Sequence, residues 1–435
     1  MTPRSALRRY MLVNFLTWLP LGLMLPVMVL LMTERGLSLA QVGLVTTVFS
    51  VVTIALELPT GGLADVAGRR VVLAASAAFT LAALALMAVS TTVWMFLAMA
   101  VLKGVGRALS SGPATAWYVD TLHELEGPDA DLGRGLARGG AMESVALCVG
   151  VLAGGFVPLL VPPGPLPPLA VPAAGGAVAA AVLLVVALLA LPEPAREHAS
   201  AVTARGLLRG VPATVGEGVR LVAGAPVLRR LMLVAAGSGV ALTAVELLTP
   251  GRLAELAGTA EEGSTAYAIV AALGFAGSAF GSAIAPRAAR LAGRVTGAGG
   301  PSPVAGAVAG TVLTSASVGA LAATAGLGGA AGLITAATAY VVLFAGLAVA
   351  GLLCLEMTHK AVDAGRRNTV TSTSSLALQG GAAASNLGFG ALATGAGTVA
   401  AWSVAACLIM ASALLFVRMP RTSPAPAPQV RSGSG

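Results

Sequence analysis

The chain has 435 residues, of which 57% are apolar and only 10% charged, and its mean hydropathy is +0.89. Soluble domains carry about 25% charged residues, so an ordinary water-soluble enzyme is excluded, and the scarcity of Lys/Arg runs excludes a dedicated nucleic-acid binder. The balance of +8 arises from 26 Lys+Arg against 18 Asp+Glu, and the placement of those charges carries more information than their sum.

A helix crossing the ~30 Å hydrocarbon layer needs about 20 mainly apolar residues. That ruler predicts twelve spans, near 10–32, 41–62, 71–90, 93–119, 141–162, 168–191, 231–250, 264–286, 303–325, 331–356, 369–394 and 397–417. The alternating ~10-residue pattern of an outer-membrane barrel is missing, so the expected fold class is all-α integral membrane. Arg8-Arg9 precede an apolar stretch from Tyr10 to Met32, longer than the ~7–15-residue apolar region of a signal peptide. It is expected to remain as the first span.

Lys and Arg mark the cytoplasmic side of short loops. All but four of the 26 fall in the N-terminus, 63–70, 120–140, 192–230, 287–302, 357–368 and the tail from Arg418. The exceptions are Arg35 and Arg252 in opposite loops, and Lys103 and Arg107 inside a span. An even span count then puts both termini in the cytoplasm, with a bacterial inner (plasma) membrane as the expected location. Residues 1–191 are read as a first six-helix half, 192–230 as a cytoplasmic loop, 231–418 as a second half and 419–435 as a disordered tail. Within the loop, 205–222 is expected to form a helix on the membrane surface, and Val161–Pro168 an extracytoplasmic turn. Runs such as Gly150–Gly155 and Gly277–Gly281 have the small-xxx-small spacing that lets helices pack closely in lipid. Cys148, Cys354 and Cys407 are expected as reduced core thiols, since no paired or metal-ligand spacing joins them.

The loop after the second span reads Gly61-Gly-Leu-Ala-Asp65-Val-Ala-Gly68-Arg69-Arg70. This G-x-L-A-D-x-x-G-R-R pattern, on the basic side of a twelve-span chain, resembles the loop signature of the major facilitator superfamily. Glu57-Leu-Pro59-Thr60-Gly61, Gly106–Asp120 and Arg367–Ser372 leading to Gln379 resemble a bacterial efflux branch of it. Gly154-Gly155 in span five resembles the exporters' Gly/Pro-rich element, without its preceding proline. The resemblance implies two six-helix halves rocking about a midplane site, with spans one, four, seven and ten around the cavity.

It also implies a gate. Gly61 and Gly68 permit a tight turn, and Asp65 would face the positive end of span eleven near Asn368–Ser372. Arg69 would pair with Asp120, and these contacts would clasp the halves on the inside. The alternative reading of Arg69 and Arg70 is topology anchoring alone. In the second half Gly281–Arg290 offers a decayed counterpart, with Ala285 at the acidic position.

Ionisable groups within spans are costly unless paired or hydrated, and usually face a cavity or relay. Lys103 and Arg107 lie one helical turn apart and share a face of span four, close to mid-membrane. With Ser110 and Ser111 they form either a cationic patch for anionic or carbonyl-bearing substrates, or a structural ion pair with Glu57. Glu57 and Glu246 are the candidate proton carriers. Glu143 is expected in the first turn of span five, complementing the helix dipole. Asn14, Thr17 and Trp18 share one face of span one and are candidate cavity residues, with packing as the alternative for Trp18; Tyr340 in span ten is a further candidate.

The expected function is proton-coupled export of small organic molecules by alternating access, with nutrient uptake by symport or facilitation as the alternative. The expected partners are a small-molecule substrate, protons and the lipid bilayer, with no nucleic acid, no cofactor beyond the proton gradient, and a monomer as the working unit. An enzyme is not expected: His123, His198 and His359 are read as loop residues without a nucleophile or metal constellation. The aromatic content of 4% disfavours an aromatic-lined multidrug or sugar site.

Overall fold

The computed structural model describes residues 1–61, 63–127, 129–162, 164–192, 216, 220–363, 367–417 and 419, apart from the side chains of Leu58, Pro59, Asp65, Val66 and Asn368. No strand occurs among them. The helices are α1 (Pro3–Met24), α2 (Met28–Glu34), α3 (Leu39–Gly61), α4 (Leu63–Ala67), α5 (Arg69–Val89), α6 (Val93–Ser110), α7 (Pro113–Glu126), α8 (Gly133–Leu160) and α9 (Val171–Ala190). They continue with α10 (Pro226–Ala257), α11 (Ala260–Val295), α12 (Pro303–Ala323), α13 (Gly329–Lys360), α14 (Arg367–Ala396) and α15 (Thr398–Ala413).

Among the described residues ten helices are long and apolar enough to span a bilayer, or eleven if the bent pair α1–α2 is one span. α6 and α7 together count as one of these. α14 is 30 residues long but is punctuated by Ser, Thr, Asn, Gln and Gly, which lowers its hydropathy; with it the arrangement is compatible with twelve spans. α1 and α2 meet at 41°, because Pro26 lies at the break and cannot continue the hydrogen-bond ladder.

Several helices run past the predicted ends. α8 starts at Gly133, so Glu143 sits well inside the helix rather than in its first turn. The stretch Gly281–Arg290 is interior to α11, with Pro286 absorbed. Its first-half counterpart breaks because Gly68 adopts φ of +99° as the N-cap of α5, a conformation that favours glycine. His123 and His359 lie in α7 and α13 rather than in loops, while His198 lies outside the described residues. So do 205–215 and 217–219 of the expected surface helix, although 220–224 are helical. The tail beyond Met419 lies outside as well.

Packing is asymmetric along the bundle axis. The end carrying the start of α1 is rich in arginine and is called here the basic face; the opposite end is the far face. Toward the far face one apolar cluster joins residues of both helix sets, α1–α9 and α10–α15, from Leu31, Met87, Phe96 and Val151 to Val245, Tyr340, Phe389 and Trp402. Toward the basic face, beside a small cluster of Ala64, Val72 and Leu109, there are two larger separate clusters. One holds Tyr10, Leu73, Trp117 and Leu183; the other holds Leu231, Ala285, Leu353 and Phe416.

Contacts between the sets run mainly through α3 with α14 and α8 with α11. They depend on missing side chains. A methyl on Gly43 would lie 2.2 Å from the Asn386 carbonyl oxygen, and one on Gly155 would lie 2.2 Å from the Ala268 Cβ. The Thr394 hydroxyl accepts from the Ala40 amide at 3.0 Å, and the Ser264 hydroxyl donates to the Gly155 carbonyl at 3.0 Å. Within the sets, Gly150 meets Gly22, and Gly277 and Gly281 meet Val341 and Ala345, as their spacing predicts.

The outside of the bundle is apolar. Trp94, Leu160 and Leu189 are 76%, 79% and 82% exposed, which suits lipid rather than water. Cys148 and Cys407 are exposed too, a correction to their reading as core thiols. In a bilayer, apolar residues are placed outward as readily as inward.

Candidate functional site

Between the two helix sets lies a cavity of about 630 Å³, lined by residues of both. Its size falls in the range of roughly 300–1,000 Å³ typical of small-molecule sites. α3 contributes Thr46, Phe49, Ser50, Thr53 and Glu57, and α14 contributes Ser375, Leu378, Gln379, Ala382 and Asn386. Both sets follow helical i, i+3, i+4, i+7 spacing. That polar stripe is the signal by which α14, the least apolar span, identifies itself as a cavity wall; the sequence reading did not extract it.

Lys103 and Arg107 of α6 both line the cavity, as do Thr17, Trp18, Ser110, Ser111, Glu57 and Glu246. Among the described residues no carboxylate lies within ion-pair distance of either cation, so the predicted pair with Glu57 does not form. Instead Lys103 Nζ sits 4.8 Å above the Phe49 ring and Arg107 Cζ 4.7 Å above the Trp18 ring. Such contacts are worth roughly 0.5–2 kcal/mol, more when desolvated. They hold each cation in place without neutralising it. The Arg107 Nη1 also donates to the Ser110 hydroxyl at 3.3 Å. Two of the few aromatic residues, Phe49 and Trp18, are thus used where the cations are.

The acids stand apart. Glu57 Oε2 accepts from Gln379 Nε2 at 2.9 Å, a hydrogen bond that crosses from α3 to α14. Glu246 of α10 is accessible from the cavity and lies within electrostatic reach of Lys103. Glu57 and Glu143 act similarly on Arg107.

Two expected lining residues are placed elsewhere. Tyr340 is 1% exposed. Its hydroxyl donates to the Val245 carbonyl at 3.3 Å, and its ring meets Tyr267 edge-on at 6.1 Å. α13 is drawn away from the cavity by packing against α11 and α12, so Tyr267 of α11 takes the lining position. Asn14 is turned into the helix packing, its Nδ2 buried and unpartnered, while Thr17 and Trp18 reach the cavity.

At the basic face Arg69 Nε meets Asp120 Oδ2 at 2.8 Å. Both residues belong to the first helix set, so this pair cannot by itself clasp the two sets together. α4, which carries Asp65 and follows Gly61, packs through Ala64 against Val72 and Leu109 of its own set. The expected target near Asn368–Ser372 is the first turn of α14, but the side chains of Asp65 and Asn368 lie outside the described residues. Arg70 donates to the Leu188 carbonyl and Arg9 to that of Ala190, both at the end of α9. Arg230 donates to the Val417 carbonyl after α15 at 2.9 Å. Cations at helix C-termini satisfy orphan carbonyls and oppose the dipole.

The sequence matches the family model of the Major Facilitator Superfamily over residues 10–353. No curated protein matches the chain. Among solved structures, the nucleoside transporter NupG aligns with TM-score 0.73 at 12% identity, covering 95% of this chain and 98% of that one. The peptide transporter POT in complex with sulfate aligns with TM-score 0.68 at 13% identity, covering 95% and 94%. A bacterial homologue of the human lysosomal transporter Spinster, in an inward-facing and occupied conformation, aligns with TM-score 0.66 at 14% identity, covering 94% of each chain. The fold is shared with all three, and the chain belongs to the major facilitator superfamily, a family of multi-pass membrane transporters.

Proposed function

We propose that the chain is a proton-coupled secondary transporter that exports small organic molecules by alternating access. The observation carrying this reading is the packing asymmetry: one apolar core shared at the far face, separate cores toward the basic face, and a cavity lined by both helix sets. Two six-helix units, 1–191 and 231–418, rock about this cavity. With the basic face in the cytoplasm of a bacterial inner membrane, as the arginine distribution favours, the conformation is inward-open. The working unit is a monomer, because the cavity needs no second chain.

Glu57 and Glu246 are the acids placed to exchange a proton as the cavity alternates. Export is supported by the resemblance of the Glu57–Gly61 and Gly154-Gly155 elements to the efflux branch. One observation favours uptake by symport as a second reading. Glu246 lies within electrostatic reach of Lys103, so a proton on Glu246 would remove a negative charge that competes with a cargo anion, and the two would bind together. Flux in right-side-out and inverted vesicles separates the readings. Export predicts that an uncoupler raises substrate retention in expressing cells and that Glu57→Gln or Glu246→Gln has the same effect. Retention unaffected by uncoupler and by both variants would sink the coupling.

A further inference from the structure

The geometry points to an amphiphilic organic anion as the cargo: a compact anionic head, such as a carboxylate, on an apolar body. The inference rests on the cavity being the cargo site of the proposed transporter, and it holds for either direction of transport.

Lys103 and Arg107 lie one turn apart on α6, both facing the cavity, each held over an aromatic ring. No carboxylate among the described residues is within 4.0 Å of either. The first-set acid of the cavity already accepts a hydrogen bond from Gln379. Two cations at this spacing match one bridging carboxylate, since charge-assisted hydrogen bonds to a bidentate oxygen pair are among the strongest available to a protein.

The wall beside them is of a different kind. At the end of α1 and the bend after it, Leu21, Leu25 and Met28 line the same cavity, with Met24, Met32 and Met99 buried behind them. Unbranched, polarisable methionines re-pack around bodies of varied shape. A fixed pair of cations beside an adaptable apolar wall reads the head group strictly and the body loosely.

The test uses full-length protein in detergent and three isosteric probes: 1-naphthylacetate, 1-naphthylacetamide and 1-naphthylmethylamine. Binding is read by quenching of tryptophan fluorescence, Trp18 lying beneath Arg107, and by thermal shift. The acid is expected to bind about tenfold tighter than the amide and more tightly still than the amine, the ratio of one charge-assisted bond. Lys103→Gln and Arg107→Gln should each bring the acid-to-amide ratio close to one. Leu21→Ala with Leu25→Ala should weaken acid and amide together, leaving their ratio intact.

Equal binding of the three probes by the unaltered protein, preference for the amine, or no binding at all overturns the inference, and needs no variant to fold. Failure of the transport reading is distinguishable. Acid-selective binding without flux in vesicles would remove the transporter and keep the anion site. Flux of the amine but not the acid would do the reverse.

Discussion

At the far face the two helix sets touch backbone to backbone, whereas at the basic face each set is closed by its own arginines. Gly43, Gly155 and Gly390 lie so near the opposing backbone or Cβ that any side chain there would collide. The polar ties across this junction are few: Ala40 to Thr394, Thr47 to Ala383, Ser264 and Thr265 to Gly155. By contrast, Arg9 and Arg70 bind the end of α9 and Arg230 the end of α15, each inside its own set. A junction made of close contact with little interlocking can open as a surface, while an end tied within itself moves as a body. The difference teaches where a hinge-like change costs least.

The most severe way to break the comparison is to fill the far-face junction. Gly43→Val inserts side-chain atoms where a Cβ alone meets the Asn386 oxygen at 2.2 Å. Overpacking of this kind costs about 1–3 kcal/mol. The variant should hold the far face apart and reduce flux at least about tenfold, a factor worth roughly 1.4 kcal/mol. Spin-label distances between α3 and α14 at the far face should lengthen; unchanged distances in a folded variant would contradict the zipper.

A milder cut is Gln379→Leu, which removes the hydrogen bond from α14 to Glu57. The bond ties the two sets on the basic side of the cavity, so its loss should favour further opening there by about 1 kcal/mol, near the net worth of one such bond. Glu57→Gln combined with it should give little further change, since both report the same contact.

Smaller still is the effect of Arg69→Ala or Asp120→Ala. The pair is partly exposed, so its coupling by double-mutant cycle should be under about 1 kcal/mol. Because both residues lie in one set, far-face distances should not move, and a large change would restore the pair to the role of a clasp between sets. Smallest are Arg9→Gln and Arg230→Gln, each lowering thermal stability by roughly 0.3–1 kcal/mol through a lost C-terminal cation. Their effects should add, as expected for independent sites; marked non-additivity would mean that the two ends are not separate bodies.

Much of this was legible in the chain. Apolar run length placed the spans, since a bilayer dictates about 20 residues whatever the partner. The G-x-L-A-D-x-x-G-R-R run placed Gly68, whose φ of +99° ends one helix and begins another. Two basic residues at i and i+4 placed Lys103 and Arg107 on one face, leaving a cavity patch or an ion pair with Glu57 as the two readings, and the structure puts both in the cavity lining. Helix ends were less legible: α8 begins at Gly133 although Gly135, Gly139 and Gly140 are poor helix formers, and α11 runs through Pro286, because packing such as that of Gly135 on Tyr118 and Gly139 on Tyr10 overrides local propensity.

What tertiary structure alone decided was the neighbour of each polar group. Tyr340 and Asn14 have the composition of lining residues, yet α13 packs Tyr340 behind Val245 and α1 turns Asn14 inward. Lys103 and Arg107 found Phe49 and Trp18 rather than Glu57, because rings on α3 and α1 stand closer than the acid does. Periodicity fixes which side of a helix a residue occupies, a local property of 3.6 residues per turn. Which helix that side meets depends on contacts far apart in the chain, and these exist only once the bundle has packed.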